Sequence, residues 1–302
     1  MSVVVFMNEL LKLFLEDKRI LDRVKIEDYL SVYFDVRPSS FFTMIAELPN
    51  AKEIGSKIDI ECKDDLLLIM STRDIQLRGE LIVELRHKID KLFEKYVLKS
   101  DIFKAHEHWA KELNLKMCMD KIRPSICEVY LYKDKNIGKR IKNLFYVRSE
   151  IRKAIYKMQN VNLPPSLLAY PEELSSKFVS ELGLILGYPE CCVKRYADER
   201  ASGIYVEGRI SNQIKDLKKV GDKPNVFSFF SSNFIPHDPK CENAAQIGLK
   251  LYEILKREIP GAHEIYYKLL LGNVETSENL PEIIRSYRQN ADLKVKDLLM
   301  YV

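Results

Sequence analysis

The sequence predicts an α+β fold, with a mixed N-terminal part over residues 1–162 and a mainly helical C-terminal part over residues 163–302. Three observations predict it. In the first half, stretches with helical apolar spacing alternate with stretches of strand-like composition. Three prolines, Pro164, Pro165 and Pro171, then interrupt any regular element and mark a boundary. After them, almost every apolar stretch has helical spacing.

The elements follow in order. In MNELLKLFLEDKRILDRV, residues Leu10, Leu11, Phe14, Leu15 and Leu21 are spaced as one helix face. KIDIECKDDLLLIMST reads as two strands around a turn at Lys63, Asp64 and Asp65. In LIVELRHKIDKLFEKYVL, Leu81, Leu85, Ile89, Leu92 and Phe93 form an amphipathic stripe. A further helix is expected over residues 102–113, then a strand at ICEVYLYKD and a long basic helix at IGKRIKNLFYVRSEIRKAIYKM. Beyond the prolines, a helix over residues 172–186 should end at Gly187, a favourable residue just past a helix C-terminus. Short helices are expected after Pro189 and Gly208, an extended stretch at NVFSFFSSNFIPHDP, and helices over residues 240–258, 263–271 and 281–300.

At 302 residues the chain has ample material for a core, and its 46% hydrophobic and 30% charged residues are values of a globular protein. No window of about 18 uncharged apolar residues occurs, so no membrane span or membrane partner is expected. The start, MSVVVFMNELLKLF, has no basic region before its apolar residues and so does not resemble a signal peptide. The expected location is cytoplasmic, where the six cysteines stay reduced. The net charge of +4 is too small by itself to argue for nucleic acid. Signatures of nucleotide-binding loops, serine hydrolases and H-E-x-x-H metalloproteases are absent from the sequence.

The cysteines carry the chemical signal. YPECC and HDPKC both contain Pro-x-Cys, at Pro189–Cys191 and Pro239–Cys241. Proline favours the first position of a helix, so both cysteines are expected in a first turn, where free N–H groups and the helix dipole stabilise a thiolate. Neighbours on a helix diverge by about 100°. That spacing assigns the chemistry to Cys191, beside Lys194 and Arg195, and makes Cys192 either a second ligand or a small core residue. His237 precedes Cys241 by four residues. Two local donors followed by two more after an intervening segment is how structural metal sites are assembled, and Cys and His are donors that zinc and iron favour. The candidate metal set is Cys191, Cys192, His237 and Cys241.

LGLILGYPECCVKRY, followed by His-x-Pro-x-Cys, resembles an archaeal and bacterial family catalogued as domain of unknown function 483. Gly187, Tyr188, Pro189, Cys191 and Cys192 carry the first block of the resemblance, and His237, Pro239 and Cys241 the second, over about Tyr130 to Glu253. The second block keeps a single cysteine, so the largest donor set the resemblance implies is three thiolates and one imidazole. The family name implies no activity.

Three functional readings stay open. The first is a metal-binding protein holding zinc or iron. The second is an RNA- or protein-binding module with structural cysteines. The segment from Lys133 to Lys157 holds nine basic residues against two acidic ones, and Lys139, Arg140, Lys142, Arg148, Arg152 and Lys153 would form its RNA-facing surface, with Phe145 and Tyr146. The third is a thiol enzyme with Cys191 as nucleophile and His237 as base. Elsewhere, His106 and His108 read as a wet helix face, and Cys118 and Cys127 as buried residues of separate elements.

Overall fold

The computed structural model describes residues 3–157 and 170–290. The junction placed by sequence at residue 163 lies outside the described residues, as do residues 291–302. The architecture is α+β. Helix α1 (Val3–Glu16) leads into a wide π-helical turn (Val24–Leu30), a short α2 (Ser31–Tyr33) and strand β1 (Ser39–Met44). Helices α3 (Ala51–Ser71), α4 (Ile75–Phe93) and α5 (Asp101–Glu112) precede the hairpin of β2 (Lys116–Arg123) and β3 (Ile126–Tyr132), and then α6 (Lys135–Lys157). Five helices complete the described chain: α7 (Ser176–Ile185), α8 (Glu190–Ala201), α9 (Val206–Lys219), α10 (Glu242–Glu258) and α11 (Ala262–Asn290).

The sheet has the order β1-β3-β2 and is antiparallel throughout, with Ser39 and Lys116 both opposite Tyr132. Side chains alternate across a strand. Val129 and Leu131 therefore enter one core and Tyr130 and Tyr132 another. The first core is the larger. It joins α1, the π-helical turn and α3–α5 to Leu251 and Leu255 of α10 and to Tyr266 of α11. The second packs α6 and α7 on the opposite face of the sheet, through Ile141, Leu144, Phe178 and Ile185.

Several elements differ from the sequence expectation. KIDIECKDDLLLIMST is not a hairpin but the body of α3, whose buried residues Ile54, Ile58, Cys62 and Ile69 follow helical spacing. Asp65 lies mid-helix and pairs with Lys88 of α4 at 2.6 Å. His106 is fully buried rather than wet, because the inward stripe of α5 runs through Phe103, His106, Trp109 and Ala110. NVFSFF begins with a 3-10 turn (Val226–Phe229) instead of an extended segment. Gly208 lies inside α9 rather than before it, and the two helices expected after residue 262 are one, with Pro281 inside it. Cys118 and Cys127 sit on adjacent strands out of register, opposite Tyr130 and Lys121, and both are free thiols.

Candidate metal centre

Helix α7 ends as the sequence suggests. Gly187 takes φ +73°, and an added Cβ there would lie 2.4 Å from Pro38 Cδ, so glycine is required on two grounds. The turn delivers Tyr188 and Pro189 to the start of α8. Pro189 itself is extended (ψ 134°), so the helix begins one residue later than expected, at Glu190. The Pro189 carbonyl accepts from the N–H groups of Cys192 and Val193, both at 2.9 Å. Cys191 and Cys192 thus occupy the second and third helical positions.

The offset is larger at the other block. Asp238 does not cap a helix starting at Pro239. Its carboxylate accepts from the Lys240 N–H at 2.7 Å, and its carbonyl from the Cys241 N–H at 3.0 Å. That turn makes Cys241 itself the N-cap of α10, which starts at Glu242.

The two starts face one another. Cys241 Sγ lies 3.8 Å from Cys191 Sγ and 3.6 Å from Cys192 Sγ, and His237 Nδ1 lies 3.2 Å from Cys192 Sγ. All four donor atoms lie within 4.8 Å of one another. The vicinal pair straddles Cys241, so a 100° divergence along the helix does not separate the sulfurs from a shared point just off its end. Cys192 and Cys241 are buried, whereas Cys191 and His237 are half-buried. The expected division of labour between the cysteines changes accordingly. The imidazole hydrogen-bonds with Cys192, so Cys192 is as well placed to be a donor as its neighbour.

Electrostatics differ around the three thiols. Burial raises the Cys192 thiol, and the His237 backbone N–H only partly opposes this. Burial also raises Cys241, against the Ala244 backbone N–H. At Cys191 burial acts the same way but is outweighed by hydrogen bonds, first that from Asn243 Nδ2 at 3.4 Å, and the thiol is lowered.

The support around the donors was not visible in the sequence. Arg209 of α9 donates to the carbonyls of Pro236 (3.2 Å) and His237 (2.9 Å), and its Nε donates to Glu199 at 2.9 Å. Glu199 is buried and also receives Arg195 Nε at 2.6 Å. This ion pair fixes the loop that carries His237. Phe230 and Phe234 stack at 4.4 Å and close the apolar side of the cluster, with Tyr188 against Phe234 at 4.8 Å.

Residues 116–265 match the family described as protein of unknown function (DUF483). The match is wider at both ends than the resemblance read from the motifs, and all four donors lie within it. An uncharacterized protein of Methanocaldococcus jannaschii is 22% identical over 209 residues, which span 63% of this chain and 100% of that protein. No solved structure matches this chain.

The basic helix α6 has a different environment from the one its composition suggested. Arg148 is buried between Asp120 at 2.6 Å, Glu128 at 2.9 Å and Glu172 at 3.2 Å. Arg152 pairs with Glu172 at 2.8 Å, Arg140 with Glu181 at 2.8 Å and Lys153 with Glu150 at 2.9 Å. The arginines that sequence reasoning offered to RNA are engaged within the protein, while Lys139, Lys142 and Tyr146 are exposed. Among the described residues, no helix is long and apolar enough to cross a membrane.

Proposed function

We propose that this is a zinc-binding protein in which Cys191, Cys192, His237 and Cys241 hold one ion as a closed structural centre. The observation that carries the reading is the pair of sulfur separations, 3.6 and 3.8 Å. Zn–S bonds of about 2.3 Å at a tetrahedral angle place sulfurs about 3.5–4 Å apart. A disulfide needs about 2.05 Å, so these thiols are arranged for a shared ion rather than for pairing. Three thiolates and an imidazole fill a tetrahedral shell, and zinc has no electronic preference that such a shell would offend. Four protein donors leave no open position, which makes the ion a clamp between two helix starts rather than a Lewis acid. A site that needs thiolates fits a cytoplasmic location, where thiols are kept reduced.

The thiol-enzyme reading loses its base, because His237 is directed at Cys192. The RNA reading loses Arg148 and Arg152 to internal ion pairs. Elemental analysis of protein purified without a metal affinity column tests the proposal. The expected result is about one zinc per chain, lost in Cys241→Ser. Iron in place of zinc would change the ion but not the donor set. Metal-free protein with three freely alkylated thiols would overturn the reading.

A further inference from the structure

Beside the cysteine cluster lies a cavity of about 370 Å³, with Cys192 in its wall. That size lies in the range of small-molecule sites, about 300–1,000 Å³, which are typically apolar with a few convergent polar groups. The cavity has this character. Phe178, Leu182, Tyr188 and Phe234 contribute an apolar wall, and Glu128, Glu172, Glu173 and Arg148 meet at its polar part.

The wall is built in advance of any ligand. The buried Glu27 carboxylate accepts from the Ser232 N–H at 2.8 Å and from Asn273 Nδ2 at 2.8 Å, and both of those residues line the cavity. Asn233 is tied in turn to the Phe41 carbonyl at 3.1 Å. The amide nitrogens of Asn233 and Asn273 are therefore committed to shaping the wall, and the charged groups are placed to select what enters.

The charge balance there is uneven. Three carboxylates line the cavity and one guanidinium faces them. Arg148 is already divided among Asp120, Glu128 and Glu172, and Glu172 is further neutralised by Arg152. Among the described residues, Glu173 pairs with Arg200 Nε alone, at 3.3 Å, and that arginine is shared with Glu207 at 2.5 Å. Burial, against the pull of Arg200, and then the neighbouring Glu207, Glu172 and Glu128 charges push the Glu173 carboxyl up. A cation at this place would supply the missing countercharge.

We propose that the cavity binds a small organic cation, an amine carrying an aromatic or aliphatic body, with the ammonium paired to Glu173 and the body against Phe178, Leu182, Tyr188 and Phe234. This site is distinct from the metal centre. Occupancy of the cavity consumes none of the four donors, although Cys192 forms part of the wall.

Calorimetric titration of the full chain with 2-phenylethylamine, 3-phenylpropanoate and 2-phenylethanol tests this, with metal content measured on the same samples. Saturable binding of the amine is expected, at least tenfold tighter than the carboxylate or the alcohol. Glu173→Gln should weaken amine binding at least tenfold and leave the melting profile of the protein in place. Leu182→Trp, which fills the cavity from a half-buried position, should abolish it. Equal binding of the three probes would reduce the site to an unselective apolar cavity and overturn the proposal. So would amine binding that survives both substitutions, or no saturable amine binding at all. Selective amine binding in protein that carries no metal would leave this proposal standing and remove only the zinc reading.

Discussion

His106 and Asp28 show how burial sets the charge of single residues in this protein. The His106 ring stacks on Phe42 at 4.5 Å, and its Nδ1 meets the Tyr29 hydroxyl at 3.0 Å. Burial, opposed weakly by the Asp17 charge, lowers its pKa to about 4 from 6.5. A depressed histidine favours the neutral form in the fold, so its contribution to stability is present above about pH 6.5 and is lost as pH falls through about 4. NMR should show no titration of this ring between about pH 5.5 and 8; a midpoint near the usual 6.5 would place it in solvent. Asp28 has the opposite sign. Burial, against Arg23 and with Glu47, pushes its carboxyl up to about 8. A raised carboxyl is favoured protonated, so its contribution is present below about pH 4 and is lost as pH rises through about 8. Unfolding midpoints in urea should therefore fall from about pH 6.5 to 8.5, and Asp28→Asn should flatten that slope; an unchanged slope in the variant would assign it to another group. The four residues of the candidate metal centre were legible one by one, because two Pro-x-Cys blocks and a nearby histidine are local patterns. Glu199 and Arg209 were not, since an ion pair between two helices has no spacing of its own.

At the scale of elements, the sequence was readable where apolar periodicity was strong and misleading where it was diluted. α4, α5, β3 and α6 appear where spacing predicted them. α3 was misread because Ile58-Asp59-Ile60 alternates like a strand, while its true stripe of Ile54, Ile58, Cys62 and Ile69 is sparse. β2 gave no signal because only Ile122 of its eight residues is fully buried. The start of α8 was shifted because Pro189 has extended ψ and stands before the helix, and that of α10 because Pro239 lies in the Asp238–Cys241 turn that precedes it. The placement of α10 depends on a close approach. A Cβ on Gly248 would sit 2.3 Å from the Phe227 carbonyl oxygen, a backbone atom that cannot rotate away. Gly248→Ala should cost about 1–3 kcal/mol by overpacking. Because Cys241 caps the same helix, the variant should also bind zinc more weakly. Gly272→Ala in α11 is the control. Its Cβ meets nothing within 4 Å, and helix propensity should make it neutral or stabilising by up to about 1 kcal/mol. Equal losses in the two variants would refute the close-approach argument.

Across the whole molecule, the cysteine–histidine cluster lies between parts that otherwise belong to different cores. α8 contributes Ala197 to the core over α6 and α7, while α10 sends Leu251 and Leu255 into the large core with α1 and α3–α5. The cluster of Cys192, Phe230, Phe234, Cys241 and Ala244 between them is small, and its sulfurs are the groups that repel one another once ionised. A zinc ion held there, as proposed, would offset that repulsion and tie the two cores through bonds rather than through area. Binding to the folded form alone adds about 4 kcal/mol of stability at a free ion concentration 1,000-fold above the dissociation constant. Chelation should remove this unevenly. The β1-β3-β2 sheet keeps its packing on both faces, whereas the starts of α8 and α10 and the loop carrying His237 lose their common anchor. Hydrogen exchange on the chelated protein should therefore accelerate at residues 190–194, 234–241 and 242–246 and stay slow in β3. The melting temperature should fall in the same samples and recover when zinc is restored. Acceleration spread evenly over the sheet and the helices would mean that the two cores depend on one another without the ion, and that the cysteine cluster is a packed junction rather than a clamp.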